Sequence, residues 1–133
     1  MVRAVADTHA VIWDLSADSR LPASARAIID QAATDGDQVA FSAITLVEIV
    51  YLIEKGRIPP DTYSRLLAAV GSERADLTVV PLDETVAEFL VQVSRDRVPD
   101  MPDRIIVATA LRLGVPLISR DRKIQVSGVS TVW

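Results

Sequence analysis

The stretch Val98–Asp121, VPDMPDRIIVATALRLGVPLISRD, decides the fold. VPDMPD (98–103) carries two prolines and reads as a loop. Asp103 then opens a helix, RIIVATALRLG (104–114), which Gly114 stops. VPLIS (115–119) follows at once as a short apolar strand that runs out near Asp121. The rest of the chain repeats this alternation. VRAVA (2–6) is a buried strand ending at Asp7. HAVIWDLSAD (9–18) and PASARAIIDQAATDG (22–36) read as helices, the second with Pro22 in its first turn and Gly36 near its end. QVAFS (38–42) is a strand, and Ser42 caps an apolar helix that ends at Lys55–Gly56. DTYSRLLAAVGSER (61–74) is a helix, LTVVPL (77–82) a strand and DETVAEFLVQVSRD (83–96) a helix capped by Asp83. VSTVW (129–133) closes the chain as an edge strand. Short apolar strands alternating with helices give an α/β fold built on a parallel sheet.

The size admits a single domain spanning residues 1–133, and half the residues are hydrophobic, enough for one core. The absence of cysteine excludes disulfides, thiolate-bound zinc and iron–sulfur clusters. MVRAVADTHA (1–10) meets Asp7 and His9 too early for a signal peptide. AITLVEIVYLIEK (43–55) is broken by Glu48 and is too short for a bilayer, which needs roughly 20 apolar residues. A cytoplasmic protein with no membrane association is expected. The net charge of −4 argues against a non-specific nucleic-acid binder. A nuclease remains open, because acids that hold a metal contribute to that deficit. Seven of the 14 Lys and Arg residues lie between Arg95 and Lys123, so the C-terminal part is locally basic.

Ligands of open parallel sheets bind at the carboxyl ends of the strands. Asp7 and Asp121 fall there, and the loop before Asp103 can bring it to the same edge. Glu48 lies among Ile44, Leu46, Val47, Ile49, Val50, Leu52 and Ile53, in a helix apolar nearly all round and so expected to be buried. An unpaired carboxylate there is costly. Each acid has an ordinary alternative: a helix-dipole partner for Asp103, a surface turn for Asp121, a buried salt bridge for Glu48. Gathered in one place, carboxylates without His or Cys favour Mg²⁺ or Mn²⁺. Asp100, in the same loop as Asp103, reads as a loop cap or an outer-shell ligand. His9, Trp13 and Trp133 read as structural, since two tryptophans do not make a stacking platform.

The segments ADTHAVIW (6–13), SAITLVEIVYLIEKGRI (42–58), PDMPDRIIVATALRLGVPLISRD (99–121) and TVW (131–133) resemble PIN-domain nucleases, and among them the virulence-associated protein C type toxins. Each motif alone is weak; the ordered set covers nearly the whole chain. The resemblance implies an α/β/α sandwich around a parallel sheet of four or five strands. It implies metal ligation by Asp7, Glu48, Asp103 and Asp121, with Thr8 and Ser119 supporting the acids. Arg104 matches a family arginine that is either structural or phosphate-binding. The family often has a small residue where this chain has Arg120, a cation placed either to contact substrate or to pair with Asp121. Arg122 joins them as a candidate for substrate. The implied activity is metal-dependent cleavage of RNA, with a cognate antitoxin as partner and homodimerisation common.

Three other readings compete. A phosphoacceptor receiver domain has this length and class, but QVAFS and LTVVPL end without the required Asp, and Lys123 is poorly placed. A non-catalytic metal- or RNA-binding scaffold would keep the same acids. A PIN-fold nuclease acting on DNA or in RNA processing would differ from a toxin in nothing the residues show.

Overall fold

The computed structural model describes residues 1–73 and 75–133. Five parallel strands form one sheet: β1 (Val2–Ala6), β2 (Gln38–Ser42), β3 (Leu77–Val80), β4 (Leu117–Ile118) and β5 (Thr131–Val132), in the order β3-β2-β1-β4-β5. Helices α1 (Thr8–Leu15) and α2 (Ala23–Thr34) join β1 to β2, and α3 (Ala43–Glu54) and α4 (Thr62–Gly71) join β2 to β3. The chain then crosses the sheet through α5 (Glu84–Phe89) and α6 (Met101–Leu113) to reach β4, and a short α7 (Arg122–Gln125) leads to β5. The expected single-domain parallel α/β architecture is present, with five strands.

Alternation along the strands divides the core. Ala4, Ala6, Val39, Phe41 and Ile118 face α1, α2, α4 and Ile49 of α3. Val5, Ala40 and Leu117 face α5, α6 and Ile124 of α7. This period of two, with helices over both faces, explains why the central strands read as continuous apolar runs. Successive connections leave β1 towards β2 on one side, while β4 lies on its other side. That reversal opens a crevice beyond the carboxyl ends of β1 and β4.

Several boundaries differ from the sequence reading. Met101–Asp103 belong to α6, not to the preceding loop. Pro102 sits in the first turn, where its missing N–H costs nothing. The fifth helix stops early: α5 gives way to a 3₁₀ turn over Leu90–Gln92, and Val93 is extended. The fourth helix ends at Gly71 rather than at Arg74, which lies outside the described residues. Strand β4 is only two residues long, and α7 was not anticipated. Helix α3 is not buried all round: Val47 is 62% and Tyr51 56% exposed, and Val50 is exposed beside them.

A candidate active site at the carboxyl edge of the sheet

The crevice is a cleft of about 400 Å³ lined by Asp7, Thr8, His9, Trp13, Glu48, Asp100, Asp103, Arg120, Asp121, Arg122 and Trp133. All four expected acids therefore share one cleft, each delivered by a different element.

Asp7 directly follows β1 and caps α1, its Oδ1 accepting the Ala10 amide at 2.9 Å. It is only 8% exposed. Burial raises its pKa above the ordinary carboxylate range, and repulsion from Asp121 adds to this; the Ser119 hydroxyl and the Ala10 amide oppose the shift. Glu48 reaches in from the half-buried side of α3. The Thr8 hydroxyl donates to Glu48 Oε1 at 2.6 Å and stands 3.0 Å from the Thr45 hydroxyl. With the single Thr8 proton committed to Glu48, Thr45 must be the donor to Thr8. The result is a directed chain, Thr45 to Thr8 to Glu48. Burial raises the Glu48 pKa too, with the Thr8 bond opposing and Asp100 and Asp7 reinforcing.

Asp103 is the third residue of α6 and half-buried. Its pKa is pushed up to about 7, first by burial and then by repulsion from Asp100, Asp121, Glu48 and Asp7. Asp121 follows β4 and caps α7, its Oδ1 accepting the Lys123 amide at 2.8 Å and the Ile124 amide at 3.4 Å. The buried Ser119 fixes that turn by accepting the Asp121 amide at 3.1 Å. Asp100 occupies the N-cap position of α6, yet its carboxylate makes no capping bond and lines the cleft instead.

The arginines separate. Arg104 donates through one terminal nitrogen to the carbonyls of Leu90 and Val93, at 3.0 and 3.1 Å. Its Nε is buried and has no partner among the described residues. Of the two roles open to it, the geometry matches the structural one: it satisfies carbonyls where the fifth helix breaks, and it does not line the cleft. Arg120 and Arg122 do line the cleft. Arg120 forms no ion pair with Asp121 among the described residues; it lies over the Trp13 ring, 4.7 Å from its centroid. Arg95 and Arg97 are absent from the cleft lining.

The sequence reading missed Thr45 and the aromatic side of the cleft. His9 and Trp13 are four residues apart on α1, immediately after Asp7, and that spacing already puts them on one face beside the acid. Thr45 and Glu48 share a face of α3 in the same way.

All the acid donors are carboxylate oxygens, the set that suits a hard divalent cation. Among the described residues, no three of them already stand close enough to enclose an ion. Glu48 Oε1 and Asp121 Oδ1 are engaged elsewhere, by Thr8 and by the first turn of α7. The fit lies in the chemistry of the donors and in their mutual repulsion, which a bound cation would relieve.

The family model described as PIN domain matches residues 4–127. Ribonuclease VapC22 of Mycobacterium tuberculosis is 27% identical over 125 residues, covering 94% of this chain and 92% of that protein. Among solved structures, VapBC2 from Rickettsia felis bound to a promoter DNA fragment superposes with a TM-score of 0.72 at 14% identity, covering 99% of this chain and 98% of that one. DNA-bound VapBC from Salmonella typhimurium gives 0.69 at 21% identity, with coverage of 99% and 98%. FitAcB from Neisseria gonorrhoeae gives 0.62 at 19% identity, with coverage of 98% and 96%. At these identities the solved structures speak for the fold.

Proposed function

Since the chain belongs to the PIN domain family, we propose that it is a divalent-metal-dependent endoribonuclease acting as the toxin of a toxin–antitoxin pair. One observation carries the catalytic part. Asp7, Glu48, Asp103 and Asp121, remote in sequence, meet in one cleft, and burial with mutual repulsion raises the pKa of the first three. A fold that only needed stability would pair these charges or replace them.

Asp7, Glu48, Asp103 and Asp121 would hold Mg²⁺ or Mn²⁺. Such an ion supplies Lewis acidity and a counter-charge for the phosphodiester. The protein's own groups do the positioning. Thr45 and Thr8 fix Glu48 through their chain of hydroxyls. Ser119 sets the turn that presents Asp121, and Asp100 adds negative charge beside Asp103. Arg120 and Arg122 bring positive charge to the same cleft, where the phosphates of a nucleic acid would enter.

RNA as the substrate is supported by the likeness to a protein named a ribonuclease. An antitoxin partner is supported by structural neighbours solved as VapBC complexes, and by an exposed apolar stripe, Val47, Val50 and Tyr51 on α3 with Leu67 on α4. The same stripe would serve a homodimer. No helix is long and apolar enough to cross a membrane among the described residues.

The test is cleavage of total cellular RNA by the purified protein with Mg²⁺ or Mn²⁺, with chelator, and with Asp7→Asn and Asp103→Asn. Discrete fragments that vanish with chelator and with either substitution, with a rate loss of about 10²-fold or more, are expected. Equal cutting by the variants would remove the acids from the mechanism. Binding of metal with no RNA cut would favour a scaffold.

A further inference from the structure

Trp13 is covered by two guanidinium groups, Arg20 at 5.0 Å and Arg120 at 4.7 Å from its ring centroid. The two arginines are otherwise unalike. Arg20 spends its donors on Asp18: Nε stands 3.1 and 3.2 Å from the two carboxylate oxygens, and Nη2 lies 2.7 Å from Oδ2. Arg120 lines a cleft with five carboxylates and directly precedes one of them. Even so, no carboxylate or carbonyl takes its N–H groups among the described residues. A guanidinium that lies over an indole without spending its N–H groups keeps those donors available, in a fork that matches the oxygens of a phosphate.

The support beneath Arg120 is firm. Trp13 is 3% exposed, and its ring packs at 5.5 Å against His9 and at 5.7 Å against Trp133. An arginine resting on a fixed indole loses little side-chain freedom when it binds, so little of the interaction is lost to ordering. Asp7, one of the cleft acids, is buried, so a polynucleotide must bend inward to reach it. Flexible single strands do this more readily than a duplex.

We infer that Arg120, resting over Trp13, grips a backbone phosphate of single-stranded RNA beside the acid cluster, and that Trp13 is the positioning residue acting through it. This rests on the nuclease reading and names the group that seats its substrate. Arg20, held by Asp18, also lies over the indole and takes no part in binding.

The test is binding of a short fluorescent single-stranded RNA of mixed sequence, titrated over a range of salt with Mg²⁺ present. All variants carry Asp7→Asn to suppress cleavage; asparagine can still cap α1 through its side-chain oxygen. Arg120→Ala should weaken binding about tenfold and lower the slope of log affinity against log salt by about 0.7, the value of one phosphate contact on a single strand. Arg120→Lys should keep most of the slope while recovering only part of the affinity, because an ammonium neither forks nor stacks as a guanidinium does. Trp13→Phe should weaken binding less, and adding it to Arg120→Ala should cost nothing further. Arg20→Ala should leave affinity and slope unchanged. An unchanged slope in Arg120→Ala, or an equal loss in Arg20→Ala, overturns the inference and leaves the nuclease reading standing. Failure of the Asp7→Asn parent to bind any RNA overturns both.

Discussion

The two ends of the sheet treat their acids in opposite ways. At the amino end, Arg3 of β1 donates to Asp37 at 2.6 Å and to Asp35 at 2.5 Å, and the N-terminal ammonium lies 3.3 Å from Asp37. The Arg3 hydrogen bond holds the Asp37 carboxyl below its ordinary range. At the carboxyl end, five acids line one cleft with no ion pair among the described residues, and the Asp103 pKa climbs to about 7. One chain, capable of pairing its charges, does so at the amino end and leaves them unpaired in the cleft at the carboxyl end. Unrelieved repulsion in a cleft is a cost to folding that a bound cation would return.

The largest expected effect follows from that cost. A raised carboxyl pKa means the folded chain holds a proton the unfolded chain has released. The contribution of Asp103 is fully present below the ordinary aspartate value of 3.8 and is lost as pH rises through about 7. In chelator, the melting temperature of the wild type should therefore sag between these values, and Asp103→Asn should remove part of the sag. Adding Mg²⁺ or Mn²⁺ at about a hundredfold above its Kd should raise the wild-type melting temperature at neutral pH by about 5–10 °C. The rise should disappear in Asp103→Asn. Calorimetry with and without metal reads both effects, and a melting temperature indifferent to metal would erase the contrast between the two ends.

Much of this arrangement was legible in the sequence because the sheet is simple. Apolar runs that stop at an acid, as at Asp7, announce a strand and its carboxyl end together. Other features carry no such periodic signal. Helix α7 is four residues long and has one buried anchor, Ile124; it exists because Asp121 caps it. Two prolines disguised the first turn of α6 as loop. The arginines show the limit most clearly. Arg104 and Arg120 each adjoin an acid in sequence, so the same argument applied to both. Packing turned one onto the carbonyls of Leu90 and Val93 and laid the other on Trp13. Hydropathy likewise marked α3 as apolar without saying which of its sides the core would leave uncovered.

A smaller effect tests whether the carboxyl end is positioned as well as charged. Thr8→Val keeps the shape of the side chain but cuts the chain of hydroxyls from Thr45 to Glu48. Glu48 loses the bond that orients it, as a metal ligand does when its outer partner is removed. Cleavage should fall roughly 10- to 100-fold, and metal affinity should weaken in step. The unsatisfied Thr45 hydroxyl should cost about 1–3 kcal/mol of stability. Loss of stability with full activity would reduce the hydroxyls to packing.

The smallest effect belongs to the amino end, and its value lies in what it leaves untouched. Arg3→Ala removes the partner that lowers the Asp37 pKa, at a surface pair where solvent screens most of the interaction. A lowered carboxyl pKa stabilises the fold above the ordinary carboxylate range and ceases to do so as pH falls through the folded value. The melting temperatures of wild type and variant should thus differ slightly at neutral pH and converge on acidification, the reverse of the trend at Asp103. Added salt should shrink the neutral-pH difference further. RNA cleavage and the metal-induced rise in melting temperature should be those of the wild type, since β1 separates Arg3 from Asp7 by its own length. A change in either would mean that the charges at the two ends are coupled through β1, and the paired end could no longer be treated as scaffold alone.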